Sequence, residues 1–142
     1  ELKQLTKKLK FNIISIPCNI FDTRFLNSKI IKSLKNLNTK IYARSIFLQG
    51  LLLMKTKKIS KNFLSWKKEF LKFNHMSKKE KISKTKICTK FVVKNHLIDK
   101  VIIGFDNFKQ FKEITTIKYN QNLKLNYKFK TNNQKLINPS KW

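Results

Sequence analysis

Acidic residues are scarce in this chain: seven Asp and Glu stand against 33 Lys and Arg in 142 residues, a formal net charge of +26. So few carboxylates leave no paired-carboxylate site for acid–base chemistry. Cysteine is equally sparse, and Cys18 and Cys88 are too far apart for a Cys-x-x-Cys or metal-ligand spacing, so they read as two small core residues. His75 and His96 have no carboxylate or Cys partner at useful spacing and read as solvated turn residues, which leaves no expected metal site. Long apolar runs are missing too. Ile46 to Met54, interrupted by Gln49 and Gly50, falls far short of the ~20 residues a membrane helix needs. No signal peptide opens the chain, so no membrane partner is expected and a soluble cytoplasmic protein is the simplest reading. The two glycines, Gly50 and Gly104, both follow strand-like runs, where backbone turns sharply or passes close to a ligand.

Strong basicity is the electrostatic footprint of nucleic-acid or acidic-membrane partners. Here the positive charge is nearly all Lys. Arginine, the better fork for phosphates and base edges, occurs only as Arg24 and Arg44. Abundant Lys, Asn, Ile and Phe together are what A+T-rich codons produce without selection for binding. The lysines also scatter over every predicted helix face. Nucleic acid is therefore expected as a non-specific partner, with a basic nucleic-acid-associated protein, such as an organellar ribosomal component, as the alternative reading.

Apolar periodicity alternates between strand and helix, the signature of a parallel α/β fold. Glu1 to Lys10 reads as the end of a helix, with Leu2, Leu5 and Leu9 on one side, and Phe11 to Ile16 as a buried strand stopped by Pro17. Ile30, Ile31, Leu34 and Leu37 predict a helix over Asn27 to Asn38, capped by Ser28 or Asn27. Ile41 to Leu48 reads as a second strand. Ser60 to Phe73 carries Phe63, Trp66, Phe70 and Phe73 at helical spacing behind a Ser60 cap, then Asn74 to Lys79 reads as a polar connector. Ile82 to Lys94 is a further predicted helix, Val101 to Ile103 a third strand, and Asn107 to Ile117 a last helix with Phe108, Phe111 and Ile114 inward. Leu123, Leu125, Tyr127 and Phe129 alternate with polar residues, which suggests an extended tail.

Ile41 to Met54, ending a strand in the polar loop Ser45 to Gly50, resembles the seventh-strand segment of the aldo/keto reductase barrel. Phe11 to Asp22 is similar to that family's sixth strand, Lys100 to Asp106 to its eighth, and Ile137 to Trp142 to the terminus of one bacterial branch. The resemblance implies an α/β fold made of the last three-eighths of a (β/α)₈ barrel: a single C-terminal portion over residues 1–142 with a tail at 118–142. A whole barrel takes roughly 250 residues, so the N-terminal half of the barrel is expected to lie upstream as a missing partner. A sheet cut from a barrel would expose hydrophobic edges and be prone to aggregation.

The same resemblance implies a nicotinamide dinucleotide, NADP or NAD, as cofactor and a small carbonyl compound as substrate. Ser45, Phe47, Leu48, Gln49 and Gly50 would lie along the pyrophosphate. Gly104, Phe105, Asp106, Gln110 and Glu113 would embrace the adenosine end, although Ile114 stands where the family has Asn. Ser15 and Asn19 would approach the nicotinamide carboxamide, and Phe21 with Asp22 would either shape the substrate pocket or pack. Phe105 and Gln110 replace the Ser and Arg that hold a 2′-phosphate, so discrimination in favour of that phosphate is expected to be weak, and Asp106 suits a free ribose hydroxyl. The catalytic Asp, Tyr, Lys and His of the family belong to strands two to four, ahead of Glu1. No catalytic residue is expected in this chain, which by itself should be inactive.

Overall fold

A computed structural model describes residues 2–26, 28–117, 129 and 131–142. Three parallel strands form one sheet: β1 (Ile13–Pro17), β2 (Lys40–Arg44) and the two-residue β3 (Lys100–Val101), with β2 in the centre. Ser15 stands opposite Tyr42 and Pro17 opposite Arg44, while Ala43 pairs with Val101. Proline has no N–H to give to a ladder, and Pro17 stops the run as its last residue, although the strand is an outer one with one face open rather than the buried strand expected. One face of the sheet is covered: Ile16, Ile41 and Ala43 are buried. The opposite face, with Ile13, Ser15 and Tyr42, is open or half-open.

Helix α1 (Leu2–Lys8) precedes β1, and α2 (Lys29–Asn36) joins β1 to β2. The Ser28 hydroxyl accepts from the Ile31 N–H at 3.2 Å, which satisfies one of the free donors of the first turn of α2. Ile31 and Leu34, one turn apart, are buried against Ile16 and Ile41. Asn38 ends this unit in a left-handed turn with φ 59°, a conformation Asn tolerates better than most residues.

Between β2 and β3 lie short 3-10 turns at Leu51–Leu53, Thr56–Lys58 and Lys61–Trp66, then α3 (Lys67–Lys79) and α4 (Lys84–Val93). The predicted connector Asn74 to Lys79 is helical and completes α3, because Met76 continues the buried stripe of Phe70 and Phe73. Ser60 makes no side-chain cap, and Lys61–Trp66 winds as 3-10 rather than α. Helix α4 starts behind Ser83, whose hydroxyl accepts from Lys86 N–H at 3.2 Å. Ile87, Cys88 and Val92 face inward from it. The strands are shorter than the apolar runs suggested, since β2 stops at Arg44 and β3 at Val101.

The larger core is aromatic. Phe21, fully buried, has its ring centroid 5.7 Å from Phe70, 6.1 Å from Phe73 and 5.6 Å from Phe129. Tilted and edge-to-face pairs of this kind add attraction beyond the area they bury. The chain end packs on the same cluster: α6 (Gln134–Ile137) buries Leu136 and Ile137, and Trp142 sets its ring 4.9 Å from Phe63. The last helix of the sheet unit, α5 (Phe108–Thr115), has no buried residue, and Phe108 is 75% exposed. The expectation that Phe108 and Phe111 turn inward is therefore corrected. Helix α5 lies against α4 and half-buries Ile114, but none of its residues is fully enclosed. The alternating stretch Leu123 to Tyr127 lies outside the described residues.

Asp99 ties β2 to the segment entering β3. Its carboxylate accepts from the Ile41 N–H at 2.7 Å and from the Lys35 ammonium at 2.8 Å, while its own N–H donates to the Ile41 carbonyl at 2.8 Å. The Ile41 N–H first, then Lys35, hold this carboxyl below the usual carboxylate range. A depressed folded value means that the stabilisation is fully present above the unfolded value of about 4 and is lost as pH falls through the folded one. Asp99→Ala is expected to lower unfolding free energy by about 1–2 kcal/mol at neutral pH, and by progressively less below about pH 4. Urea melts across pH check this, and a loss independent of pH would refute it.

Candidate functional site

Chain direction decides where the loops gather. In a parallel sheet every strand ends on the same side, so the segments after β2 and β3 leave the sheet together. Between them lies a cleft of ≈ 750 Å³, lined on one side by Arg44, Ser45, Phe47, Gln49 and Gly50, and on the other by Gly104, Phe105, Asp106, Gln110, Glu113 and Ile114. That volume is within the usual range of small-molecule and cofactor sites.

The loop after β2 is wound against steric preference. Ser45, Leu48, Gln49 and Gly50 have φ of 57°, 50°, 54° and 80°. For residues with a Cβ, the left-handed region costs roughly 1 kcal/mol or more each, so the surroundings must enforce it. Leu48 does so from inside: its side chain is 1% exposed in the main core, and its N–H donates to the Ser45 carbonyl at 2.9 Å. Asn19 does so from below. It is fully buried, its Nδ2 donates to the Ser45 carbonyl at 3.2 Å, and its Oδ1 accepts from the N–H groups of Phe21 and Asp22 at 2.9 Å. Among the described residues, no backbone carbonyl accepts from the N–H of Gln49 or Gly50. Turn N–H groups left open in this way make anion-accepting concavities. Gly50 is required by its φ rather than by crowding, since a Cβ at Gly50 or at Gly104 would meet nothing within 4 Å.

The facing wall is set by the start of α5. Asn107 caps that helix by accepting from the Gln110 N–H at 3.1 Å, and Gln110 returns its side-chain oxygen to the Asp106 N–H at 2.8 Å. This reciprocal arrangement resembles a capping box shifted by one residue. It uses the acceptor of Gln110 locally, and Asn107 rather than Asp106 is the cap. Phe105 is 51% exposed, with its ring 5.0 Å from that of Phe111.

Nine of the twelve residues expected from sequence thus line one cleft. The other three do not. Leu48 points into the core, Asn19 is enclosed with its polar atoms engaged, and Ser15 lies inside β1, two residues short of its end, on the open face of the sheet. Phe21 is packing, at the centre of the aromatic core. Asp22 is enclosed beside it, with Arg24 at 3.2 Å, and burial pushes its carboxyl above the ordinary range despite that guanidinium.

Arg44 and Thr85 also line the cleft without having been singled out. Arg44 carried a usable signal, being one of two arginines and the last residue before Ser45. Its guanidinium donates to the Ser45 hydroxyl at 3.3 Å. Thr85 reaches the cleft from α4, forty positions along the chain from Ser45, and local pattern gives no sign of it. Burial drives the thiols of Cys18 and Cys88 up to about 12, so neither is a thiolate nucleophile near neutrality. Among the described residues, no three His, Cys, Asp or Glu side chains cluster as metal ligands, and no helix is long and apolar enough to cross a membrane.

A cleft at the C-terminal ends of parallel strands, with an open turn on one wall and a helix start on the other, is the binding geometry of α/β proteins that hold small anionic ligands. Residues 1–127 match the aldo/keto reductase family. The chain belongs to that family, an oxidoreductase family whose members generally use NAD(P)H. Comparisons with curated proteins and with solved structures return no match.

Asn19→Ala is expected to cost about 1–3 kcal/mol, because it strands the buried N–H of Phe21, while the Asp22 N–H keeps the Asn19 carbonyl and the Ser45 carbonyl keeps the Leu48 N–H. Denaturant unfolding measures this. A change under about 0.5 kcal/mol would show that the Ser45 turn does not depend on Asn19.

Proposed function

We propose that this chain is the C-terminal part of a (β/α)₈ barrel and forms the dinucleotide-binding wall of an NAD(P)-dependent aldo/keto reductase that acts on a small carbonyl compound. The observation that carries the reading is the cleft itself: two loops more than fifty residues apart, each following a parallel strand, enclose a space of cofactor size. The half-open sheet face with Ile13 and Tyr42 supports the barrel assignment, because such a face would line the interior once further strands closed the ring.

The residues present fit a dinucleotide. The N–H groups of Gln49 and Gly50, the Ser45 hydroxyl and Arg44 would hold the pyrophosphate, and the open space over both glycines lets it lie against backbone. Phe47 and Ile103 supply apolar walls to the same cleft. When bound, the nicotinamide supplies the hydride that reduces the carbonyl carbon. The proton must come from a positioned acid, and the His, Tyr and Lys residues of this chain do not line the cleft among the described residues. The acid is assigned to strands ahead of Glu1.

Two outcomes are expected. Purified chain binds NADH, and Gly50→Val weakens binding at least tenfold, about 1.4 kcal/mol, by straining the turn and filling the open space above it. The chain alone shows no reduction of an aromatic aldehyde above background, because the acid is absent. Unchanged affinity in Gly50→Val would remove the pyrophosphate assignment. Measurable turnover by the chain alone would show that a proton donor has been overlooked.

A further inference from the structure

A helix that packs by one face turns the other to solvent, and α3 with the 3-10 segment running into it turns out one that mixes cations with leucines. Phe63, Phe70, Phe73 and Met76 are buried on the inner side. On the outer side Leu64, Lys68, Leu71, Lys72, His75 and Lys79 recur at steps of three and four, and all are exposed. Leu64 is 53% and Leu71 47% exposed, with Lys68 between them. Single exposed leucines are ordinary, whereas apolar side chains grouped within a charged rim mark an interaction surface. The two acids of the segment stand off this face, each about a quarter turn past a lysine: Glu69 is half-buried with Oε2 enclosed, and Glu80 follows Lys79 as the helix ends. Among the described residues, the ion pairs are those of Asp22 and Asp99, so the lysines of this face are not neutralised. The turn Thr56–Lys58 lies against α3 and adds the exposed Lys57 and Lys58 beside it. The cleft takes none of its lining from α3, so the two surfaces are separate.

We propose that this outer face docks the chain peripherally on an anionic lipid bilayer. The lysines supply the long-range attraction, each multiplying the partition by roughly fivefold near a negative membrane surface. Leu64 and Leu71 then enter the boundary between headgroups and acyl chains, which needs no spanning helix. A nucleic acid fits the face less well. Arg24 and Arg44 both lie outside it, so it has no planar fork for phosphates or base edges. The Phe and Trp rings of the segment are buried or half-buried and give bases no stacking platform, and a phosphate ribbon offers the two exposed leucines nothing apolar.

Both tryptophans report on this face, because the rings of Trp66 and Trp142 lie 6.5 and 4.9 Å from that of Phe63, the neighbour of Leu64 in the chain. Cosedimentation with phosphatidylcholine vesicles, with and without about one-quarter phosphatidylserine, at about 0.15 M salt tests the proposal. The chain is expected to bind the anionic vesicles alone, with a blue shift of its tryptophan emission. Because the whole molecule is basic, position is the control. K68Q/K72Q/K79Q should bind about tenfold more weakly or worse, whereas K10Q/K29Q/K32Q, which loses the same charge from exposed lysines elsewhere, should lose less than about threefold. L64S/L71S keeps every charge and should lose about threefold or more together with the blue shift. Circular dichroism melts establish that all three variants fold. Equal losses in the two lysine triples overturn the proposal in favour of diffuse attraction to net charge. Unchanged binding and emission in L64S/L71S overturn the bilayer as partner. Tighter binding of duplex DNA than of anionic vesicles, lost in K68Q/K72Q/K79Q and kept in L64S/L71S, overturns it in favour of a nucleic acid.

Discussion

Parallel pairing on both sides of β2 is the constraint on which the rest of this molecule depends. A parallel ladder obliges the chain to return to the opposite edge before it can pair again, and the returns become α2 on one side of β2 and the 3-10 turns, α3 and α4 on the other. It also aims every strand end in one direction. The Ser45 turn and the Gly104 loop are brought face to face by that geometry, with no direct bond needed between them.

The register is held by polar contacts at both ends of β2. At its start, Asp99 takes the Ile41 N–H and returns its own N–H to the Ile41 carbonyl, which extends the β2–β3 pairing by one step. At its end, the Cys18 N–H reaches the Arg44 carbonyl at 3.0 Å, and Asn19 takes over at Ser45. The strained turn that follows is affordable because Leu48 and Leu51 anchor it in the aromatic core. Backbone in sparsely populated conformations collects where a ligand must be met by N–H groups. This turn has four of the six positive φ values among the described residues.

Charge plays two roles here. The many lysines are spread over exposed helix and turn surfaces and raise attraction for any polyanion within a screening length or so. Family membership accounts for the ordered strands and loops, which the reading as a basic nucleic-acid-associated protein left unexplained. Four of the seven acids, by contrast, occupy particular places: Asp99 in a strand clamp, Asp22 buried beside Arg24, Asp106 and Glu113 in the cleft.

Sequence alone determined the alternation of strand and helix, the parallel class and the serine cap of α2. Each is written in short-range signals: apolar runs stopped by Pro17, helical spacing of Ile31 and Leu34, and the Ser28 hydroxyl one residue ahead of a helix. Tertiary structure decided what depends on distant neighbours. Asn19 and Ser45 lie 26 positions apart, so nothing local shows that one amide holds the other's carbonyl. Leu48 and Gln49 are adjacent in a loop, yet the core takes the first and the cleft keeps the second. Phe108 and Phe111 follow helical spacing as faithfully as Phe70 and Phe73, but a helix buries only the part of its apolar stripe that another layer meets, and α4 meets α5 without covering Phe108 or Phe111.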